Sequence, residues 1–544
     1  MKDVHSQEII TPSLAAAMFF VAFDGWFYLL WGVMLALGLP DASRFGMPPV
    51  KIAAVLQMIC TPLYLYVIYK GWRAHSFRSF SGLTWPIIIL WAVFYYRFLT
   101  VPVELSGRMW IVRLCATIIP MIAFSIPMSD KSLKRGLKVL FALLVFTSLM
   151  HFLTFYEFML AGHSARSSFY YKSSLCKKIH FTSMIGSNLI ILSSIAACTL
   201  GLLVLHCWCK RTFIRWYVVF PLYALGTSIL YFGGSRTCVG ISVLGSIVIL
   251  LMSLNKRNVV KLTASALVIL ALNGMFYKIY ETKDRNSVLS RTQEMLTSIS
   301  TISSILIAEN EAEDETTLPF ALMENEKGHE TALIDVAASD DDEHADVIAG
   351  TVPGERVPNK RDASAPRGLF HNIPPLKDIV IDEKPIATFN DYTRLKPLYE
   401  ESGVDVRTYL YLHTINFVYY HPFGKYTSVP IVLPNGKCRF FDPHASWAST
   451  MAMSGIFGFI LFAVMGIRGL ADSIYLYRNK NELSWIGLFF VVTGLMQWVG
   501  TSLTFLAAPF WCLAVLLRAQ SKRLQHEPRA SLSAAEPPLP ETGA

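Results

Sequence analysis

Apolar residues fill most of this chain in runs of about 20, separated by short polar or basic stretches. A helix of about 20 residues is long enough to cross the roughly 30 Å hydrocarbon core of a bilayer. The pattern therefore predicts an all-α integral membrane protein with about twelve transmembrane helices. The predicted spans lie near 13–39, 52–69, 83–101, 109–128, 136–160, 184–208, 214–232, 237–254, 260–279, 446–467 and 484–518, the last divided into two short helices at Gly500 and Thr501.

One long interruption divides the apolar pattern into two membrane regions. Spans one to nine fall within residues 1–280, and spans ten to twelve fall within 446–518. Between them lies a large loop, 281–445, which we expect to face the outside of the membrane. Polar composition predicts that the final residues, 519–544, form a disordered tail.

Within the large loop, three segments differ in composition. Apolar residues recur at helical spacing over 286–308 and again over 391–420, and this spacing predicts amphipathic helices. The intervening 309–367 is acidic and polar, with the run Asp-Asp-Asp-Glu at 340–343. This composition predicts a flexible insertion.

Charge sets the predicted orientation. The formal net charge of +9 would suggest a nucleic-acid partner in a soluble protein, but this chain is 53% hydrophobic and its Lys and Arg cluster in alternate short loops. Basic loops are enriched on the cytoplasmic side. We therefore predict a membrane protein with both termini cytoplasmic, with membrane lipid and no nucleic acid as partner. The basic loops contain Lys70 and Arg73, Lys131 to Lys138, Lys210 to Arg215, Lys256 to Lys261, and Arg468 to Lys480.

Three residues stand out on the predicted outer face. Arg236 opens the eighth span in Gly-Gly-Ser-Arg-Thr, Arg407 lies in the large loop, and His444 precedes the tenth span. Each alone is explained by an interfacial arginine, a surface arginine or a packing histidine, and packing is also our interpretation of His413 and His421. Together they offer two guanidinium groups suited to phosphate oxygens and one group that titrates near neutrality. We therefore predict a transferase site.

The order of these motifs resembles that of the O-antigen ligase and O-antigen polymerase family of membrane glycosyltransferases. In that family an Ser-Arg-Thr or Ser-Arg-Gly element is followed by a loop arginine and a Pro-(Leu/Phe)-Gly-x-Gly turn. His-Asn and a helix ending in Gly-x-x-Gly complete the pattern. Here the turn is His-Pro-Phe-Gly-Lys-Tyr, so Tyr426 stands at the second glycine position, and Ala445 follows His444.

The resemblance implies a GT-C-like fold and a metal-independent, inverting glycosyltransferase without a cofactor, located in the bacterial inner membrane. Its donor would be a glycan on undecaprenyl diphosphate, and its acceptor a hydroxyl of lipid A-core or of another glycan. By the family pattern, Arg236 and Arg407 would hold the donor diphosphate, and His444 would act as base toward the acceptor. Gly424 and Asp442 would support the site.

Several alternatives stay open at this stage. The motifs do not separate an O-antigen ligase from an O-antigen polymerase or a protein O-oligosaccharyltransferase. A different class is a transporter of a lipid-linked or anionic solute, although the chain shows no internal repeat of the kind many transporters have. Asp442 or the acidic run could in principle bind a divalent cation, although solvated loop residues explain them more simply. Asp24, an ionisable residue inside the first span, remains unassigned.

Overall fold

The computed structural model describes residues 9–37, 58–74, 118–160, 189–209, 215–233, 235–255, 258–281, 395–401, 404–426, 429–433, 438–441, 446–479 and 508–533. It also describes residues 55–56 and scattered positions within 85–115 and within 443–487. Several predictions fall outside the described residues: much of the spans at 83–101 and 109–128, the division at Gly500 and Thr501, the loop helix at 286–308, the acidic insertion at 309–367, Asp442, His444, and the tail beyond 533.

The described residues are mostly helical, in agreement with the predicted fold class. One short antiparallel hairpin, with Val429 opposite Phe441, accompanies the helices. In chain order the elements are α1 (Pro12–Ala22), α2 (Gly25–Ala36), α3 (Thr61–Arg73), α4 (Ile119–Phe124), α5 (Asp130–Leu160), α6 (Leu189–Cys209), α7 (Trp216–Gly233), α8 (Arg236–Met252), α9 (Val259–Glu281), α10 (Lys396–Glu401), α11 (Val406–Tyr420), β1 (Val429–Val432), β2 (Cys438–Phe441), α12 (Ser446–Arg478) and α13 (Ala508–Ser533).

Three of these helices are long and apolar enough to cross a membrane: α5 over Asp130–Leu153, α9 over Val259–Tyr280, and α12 over its full length. Shorter apolar helices are α1, the later part of α6, α7 and α8. Large apolar side chains such as Leu267 on α9 and Leu244 on α8 are exposed, as expected for surfaces that face lipid. These features are compatible with an all-α membrane protein, and the total of about twelve spans stays a prediction.

Two sequence-based expectations differ from the structure. The first apolar run is not one helix, because α1 ends at Ala22 and α2 begins only at Gly25, with Asp24 in a left-handed conformation between them (φ 58°). At the other end of the chain, α13 continues through Ser533, whereas a disordered tail was expected from 519 onward. The apolar pattern extends across Asp24 on both sides, so hydrophobicity alone did not reveal the break.

Helices α6 and α7 pack closely against each other. They run antiparallel, since Trp208 near the end of α6 contacts Phe220 near the start of α7, with ring centroids 5.8 Å apart. Further along, Gly226 allows close approach, because a Cβ there would lie 2.9 Å from the Ala197 carbonyl oxygen. Small residues at a helix interface permit such contact in membrane bundles.

Hydrogen bonds between polar side chains join α7 to the next two helices. The Tyr223 hydroxyl lies 2.8 Å from Ser246 Oγ on α8, and Asn273 Nδ2 on α9 donates to the Tyr223 oxygen over 3.2 Å. Near the end of α7, Tyr231 stacks on Phe276 of α9 at 6.4 Å. From the Tyr223–Asn273 contact to the Tyr231–Phe276 contact, residue numbers rise on both helices, so α9 runs parallel to α7 and antiparallel to α8.

One end of the bundle gathers the basic helix termini. Ser132 Oγ on α5 donates to the Ile10 carbonyl over 2.6 Å, so α1 and α5 start together. Gln520 Nε2 of α13 donates to the Met128 carbonyl over 3.0 Å, just before α5. This is the end at which the charge pattern places cytoplasmic loops, although the compartment itself stays a prediction.

Candidate functional site

The candidate site begins with α11, the helix that carries Arg407. Asp405 caps this helix: its carboxylate oxygens accept from the backbone N–H groups of Arg407 and Thr408, each over 3.2 Å. An aspartate is among the preferred N-cap residues, because it satisfies N–H groups that have no partner within the helix. Arg407 is therefore fixed in the first turn, half-buried.

At its other end, α11 stops in the predicted Pro-Phe-Gly turn. His421 closes the helix by donating its backbone N–H to the Phe417 carbonyl over 2.9 Å. The Gly424 N–H then donates to the His421 carbonyl over 2.8 Å, which forms the turn. Gly424 has φ 67°, and a Cβ there would lie 2.5 Å from the Met453 carbonyl carbon. Glycine is thus required by both conformation and space.

The turn docks into a break in α12. Gly455 lies inside this helix with φ 68° and ψ −160°, values that are nearly exclusive to glycine. The Ile456 N–H donates across the break to the Pro422 carbonyl over 3.1 Å, and the Lys425 N–H donates to the Ala452 carbonyl over 2.9 Å. These bonds pair backbone groups that an interrupted helix leaves without partners. We call this interlock of Pro422–Lys425 with Ala452–Ile456 the turn joint.

A small apolar cluster holds the turn joint to the hairpin. Phe417 of α11 and Tyr426 after the turn have ring centroids 5.7 Å apart, and Tyr426 contacts Phe440 of β2 at 5.1 Å. On the far side, Tyr411 of α11 lies against Trp447 in the first turn of α12 at 5.2 Å. The other buried members are Leu395, Val404, Tyr409, Leu410, Val418, Val429, Ile431, Leu433, Phe441, Met451 and Ala452.

The two predicted packing histidines differ in their surroundings. His413 is 2% exposed and its Nε2 lies 3.2 Å from the Tyr409 hydroxyl; complete burial lowers the pKa of His413 to about 3. His413 is therefore neutral near pH 7, in keeping with a packing role. His421 is partly exposed, and partial burial together with nearby Lys425 lowers the pKa of His421 below its ordinary value.

Arg236 lies in the first turn of α8, behind a serine cap. Ser235 Oγ accepts from the Cys238 N–H over 3.4 Å, so the Ser-Arg-Thr element begins the helix through its serine. Arg236 is half-buried, and its Nη1 atom is shielded from solvent. A buried guanidinium at a helix start is opposed by the helix dipole, and a bound anion would offset that cost.

Arg236 and the start of α12 lie at the same end of the bundle. Past the end of α12, Trp485 stacks on His206 near the end of α6, with ring centroids 3.3 Å apart. Because α7 runs antiparallel to α6, α7 ends and α8 begins at the opposite end. The 33 residues of α12 also begin at that opposite end, beside α11.

The structure brings some of the predicted residues together and leaves others apart. Gly424 lies in the turn joint, and α11, which carries Arg407, packs on α12. Arg236 belongs to a different packing unit, because α8 packs on α6, α7 and α9. The position of His444 is outside the described residues, but α12 begins only two residues after it. The proximity of the two arginines and the histidine stays a prediction.

Two features of the site were not predicted. The break at Gly455 was not expected, since the family pattern places a glycine pair at a helix end and here the helix continues to Arg478. The hairpin was missed too, although Asn435-Gly436, a dipeptide typical of hairpin turns, stands between the two strands in the sequence. Recognising that dipeptide would have predicted it.

Metal ligands and relatives add no further constraint. Within the described ranges, no three His, Cys, Asp or Glu side chains are grouped so that they could hold a metal ion, and the predicted metal-independent chemistry stays a prediction. No protein-family model, curated protein or solved structure matches the chain. Function is therefore inferred from the motifs and from the geometry around the turn joint.

Proposed function

We propose that this protein is a glycosyltransferase of the O-antigen ligase type. It would move a glycan from undecaprenyl diphosphate to an acceptor hydroxyl of lipid A-core on the periplasmic face of the inner membrane. The observation that carries the proposal is the turn joint. It fixes the helix bearing Arg407 against the helix that starts two residues after His444.

Charge and chemistry assign the roles. Arg236 and Arg407 would bind the diphosphate oxygens and stabilise the negative charge that develops on the departing lipid diphosphate. His444 would accept the proton of the attacking acceptor hydroxyl. Attack at the anomeric carbon forms the new glycosidic bond and breaks the bond to the diphosphate oxygen, with inversion. No metal is required, because the two guanidinium groups supply the positive charge.

The location suits a lipid-linked donor. The donor's polyprenyl chain stays in the bilayer while its sugar reaches the water. Helix α12 begins beside the β1–β2 hairpin and is long and apolar enough to cross a membrane, so it would connect the aqueous and lipid environments. The same chemistry fits a polymerase or a protein O-oligosaccharyltransferase, which differ from a ligase only in the acceptor.

Genetic complementation tests the proposal. A strain that lacks this gene is complemented with wild type, Arg236→Ala, Arg407→Ala or His444→Ala, and both surface polymer and the undecaprenyl-linked pool are measured. Arg215→Ala is the matched control, since Arg215 is exposed at the opposite end of the bundle and bonds only locally to the Tyr217 hydroxyl, over 3.1 Å. We expect each of the three variants to lose most transfer and the control to retain it.

The distribution of products identifies the reaction. Long polymer that accumulates on undecaprenyl and is missing from lipid A-core indicates a ligase. Single repeat units on core without long chains indicate a polymerase. Full transfer by His444→Ala would exclude its role as base.

A transporter is the second candidate, and one observation favours it. Interrupted membrane helices with their ends near the bilayer centre are typical of secondary transporters, and the α1–α2 break is of that kind. Unchanged glycan display together with altered solute uptake in the deletion strain would support this candidate and would exclude the transferase.

A further inference from the structure

Asp24 lies at the centre of a broken membrane segment. Eleven residues of α1 precede the break and twelve residues of α2 follow it. At 1.5 Å per residue the two pieces have lengths of about 16 and 18 Å, so Asp24 is about half-way across a hydrocarbon core of about 30 Å. Gly25 permits the sharp turn, since a Cβ there would lie 2.5 Å from the Phe20 carbonyl oxygen.

The carboxyl group of Asp24 is buried without a positive partner. The residue is 6% exposed, and the ion pairs of the described residues join other groups, with no Lys, Arg or His paired to Asp24. An isolated carboxylate at the bilayer centre is strongly disfavoured. Within the described part of the chain, no side chain supplies the positive charge that would neutralise Asp24.

Hydroxyl groups on neighbouring helices line the break. One turn after Asp24, the Tyr28 hydroxyl hydrogen-bonds with Thr147 of α5, and the Tyr28 ring lies edge-on to His151 at 6.0 Å. From α3, the Tyr64 hydroxyl donates to the Met18 carbonyl over 3.0 Å. These three helices place hydroxyl groups within two helical turns of Asp24 along α1 and α2.

The basic residues of the packed helices α3 and α13 lie away from the break: Lys70 and Arg73 end α3, and Arg518 and Arg523 of α13 pair with Asp472 and Asp130. Cys60, before α3, accepts from Trp26 Nε1 over 3.4 Å, and Cys512 of α13 is fully buried. The basic residues of α5 lie in its first turns, where the helix meets Ile10, far along the bundle from Asp24. The described surroundings thus contain one acid, several neutral oxygen and sulfur groups, and the buried imidazole of His151.

We propose that the break between α1 and α2 binds one monovalent cation, H⁺ or Na⁺, on Asp24. One carboxylate needs one positive charge, and a monovalent cation supplies it without excess. The C-terminal end of α1 points into the break, and the last carbonyl groups of a helix present partial negative charge to a cation. Hydroxyl and carbonyl oxygens are the ligands that small hard cations prefer.

This site is independent of the proposed transferase site. Asp24 lies inside the bundle, whereas the turn joint lies where α12 begins, beside the soluble hairpin. An experiment that finds no cation binding therefore says nothing about glycosyl transfer, and each proposal can fail alone.

Binding is measured on the full-length protein in lipid nanodiscs. One arm measures equilibrium binding of ²²Na⁺ at pH 8, with competition by unlabelled NaCl and by choline chloride. The other arm compares infrared spectra of wild type and Asp24→Asn at pH 7, where a protonated carboxyl has a carbonyl band that a carboxylate lacks. Asp130→Asn is the control, since its side chain is 71% exposed.

The two arms identify the cation. If Na⁺ is bound, wild type takes up one ²²Na⁺ per chain, choline does not compete, and Asp24→Asn lowers the affinity at least tenfold. If a proton is bound, ²²Na⁺ does not bind and the wild-type spectrum contains a protonated carboxyl band that only Asp24→Asn removes. Tyr28→Phe keeps the carboxyl and, in the sodium case, weakens binding by removing one oxygen.

Two results would overturn the proposal. In one, Asp24→Asn binds ²²Na⁺ as well as wild type does. In the other, wild type binds no ²²Na⁺ and its spectrum contains no protonated carboxyl band. Because wild-type protein alone gives the second result, the test stands even if Asp24→Asn fails to fold.

Discussion

Replacing Gly455 with alanine is expected to separate the turn joint. An alanine at φ 68° costs about 1–2 kcal/mol relative to glycine, because its Cβ approaches the neighbouring backbone. The added Cβ would also fall well inside contact distance of the Pro422 carbonyl oxygen, which is backbone and cannot rotate away. That oxygen accepts the Ile456 N–H, so the clash breaks this bond as well.

The cost of the broken bond sets the total magnitude. Leaving a buried N–H without a partner costs about 1–3 kcal/mol. With the conformational term, Gly455→Ala should destabilise the joint by about 2–5 kcal/mol. Few local contacts stabilise a segment by more than this free energy, so we expect the turn to detach from α12 while the rest of the bundle stays folded.

Hydrogen exchange measured by mass spectrometry checks this expectation. Peptides that cover Pro422 to Val432 should exchange faster in Gly455→Ala, and glycan transfer should fall with them. Gly240→Ala is the matched control, since a Cβ at Gly240 of α8 meets nothing within 4 Å. Equal exchange in both variants would refute the argument that the joint depends on glycine.

Three further predictions concern buried polar groups. Arg518→Leu should lower the free energy of unfolding by about 3–5 kcal/mol, because Asp472 loses the ion pair at 2.9 Å. Adding Asp472→Leu should restore much of that loss in thermal unfolding, and no recovery would contradict this. Asn416→Leu should stabilise the protein by about 1–3 kcal/mol, since the fully buried amide has no hydrogen-bond partner among the described residues; destabilisation would show that water satisfies it. Burial lowers the pKa of His413 from 6.5 to about 3, so between pH 6.5 and about pH 3 the unfolded chain binds more protons than the folded one. The free energy of unfolding should therefore fall by about 1.4 kcal/mol for each pH unit as the pH drops through this range. His413→Gln should remove this dependence in hydrogen exchange of α11.

Hydrophobic length predicted the helices well where nothing interrupts them. The bounds of α7, α8 and α9 fall within a few residues of the predicted spans, because a long apolar run has few alternatives to a helix in lipid. The same reasoning failed at Asp24 and Gly455. Both breaks depend on backbone conformation and on a neighbouring segment, and neither changes the apolar pattern around it.

The candidate site was predictable in part for a similar reason. The sequence identified Arg407 and the Pro-Phe-Gly turn, and the structure explains the turn through bonds to α12. What the sequence could not supply is the partner of that turn, which lies some 30 residues later in the chain, at Ala452 to Ile456. Local pattern predicts the ends of an element, whereas contacts between distant segments follow from packing.

The contact between α13 and the start of α5 has a consequence for biosynthesis. The Met128 carbonyl accepts from Gln520 Nε2 and also from the Arg523 guanidinium, across a sequence separation of more than 390 residues. A ribosome adds residues one after another, so this carbonyl and the apolar surface around it stay without α13 until more than 390 further residues have been added. The contact between α5 and α13 therefore forms late in synthesis. A nascent chain held in the membrane before that moment exposes a docking face for α13, and the translocation machinery has to shield it.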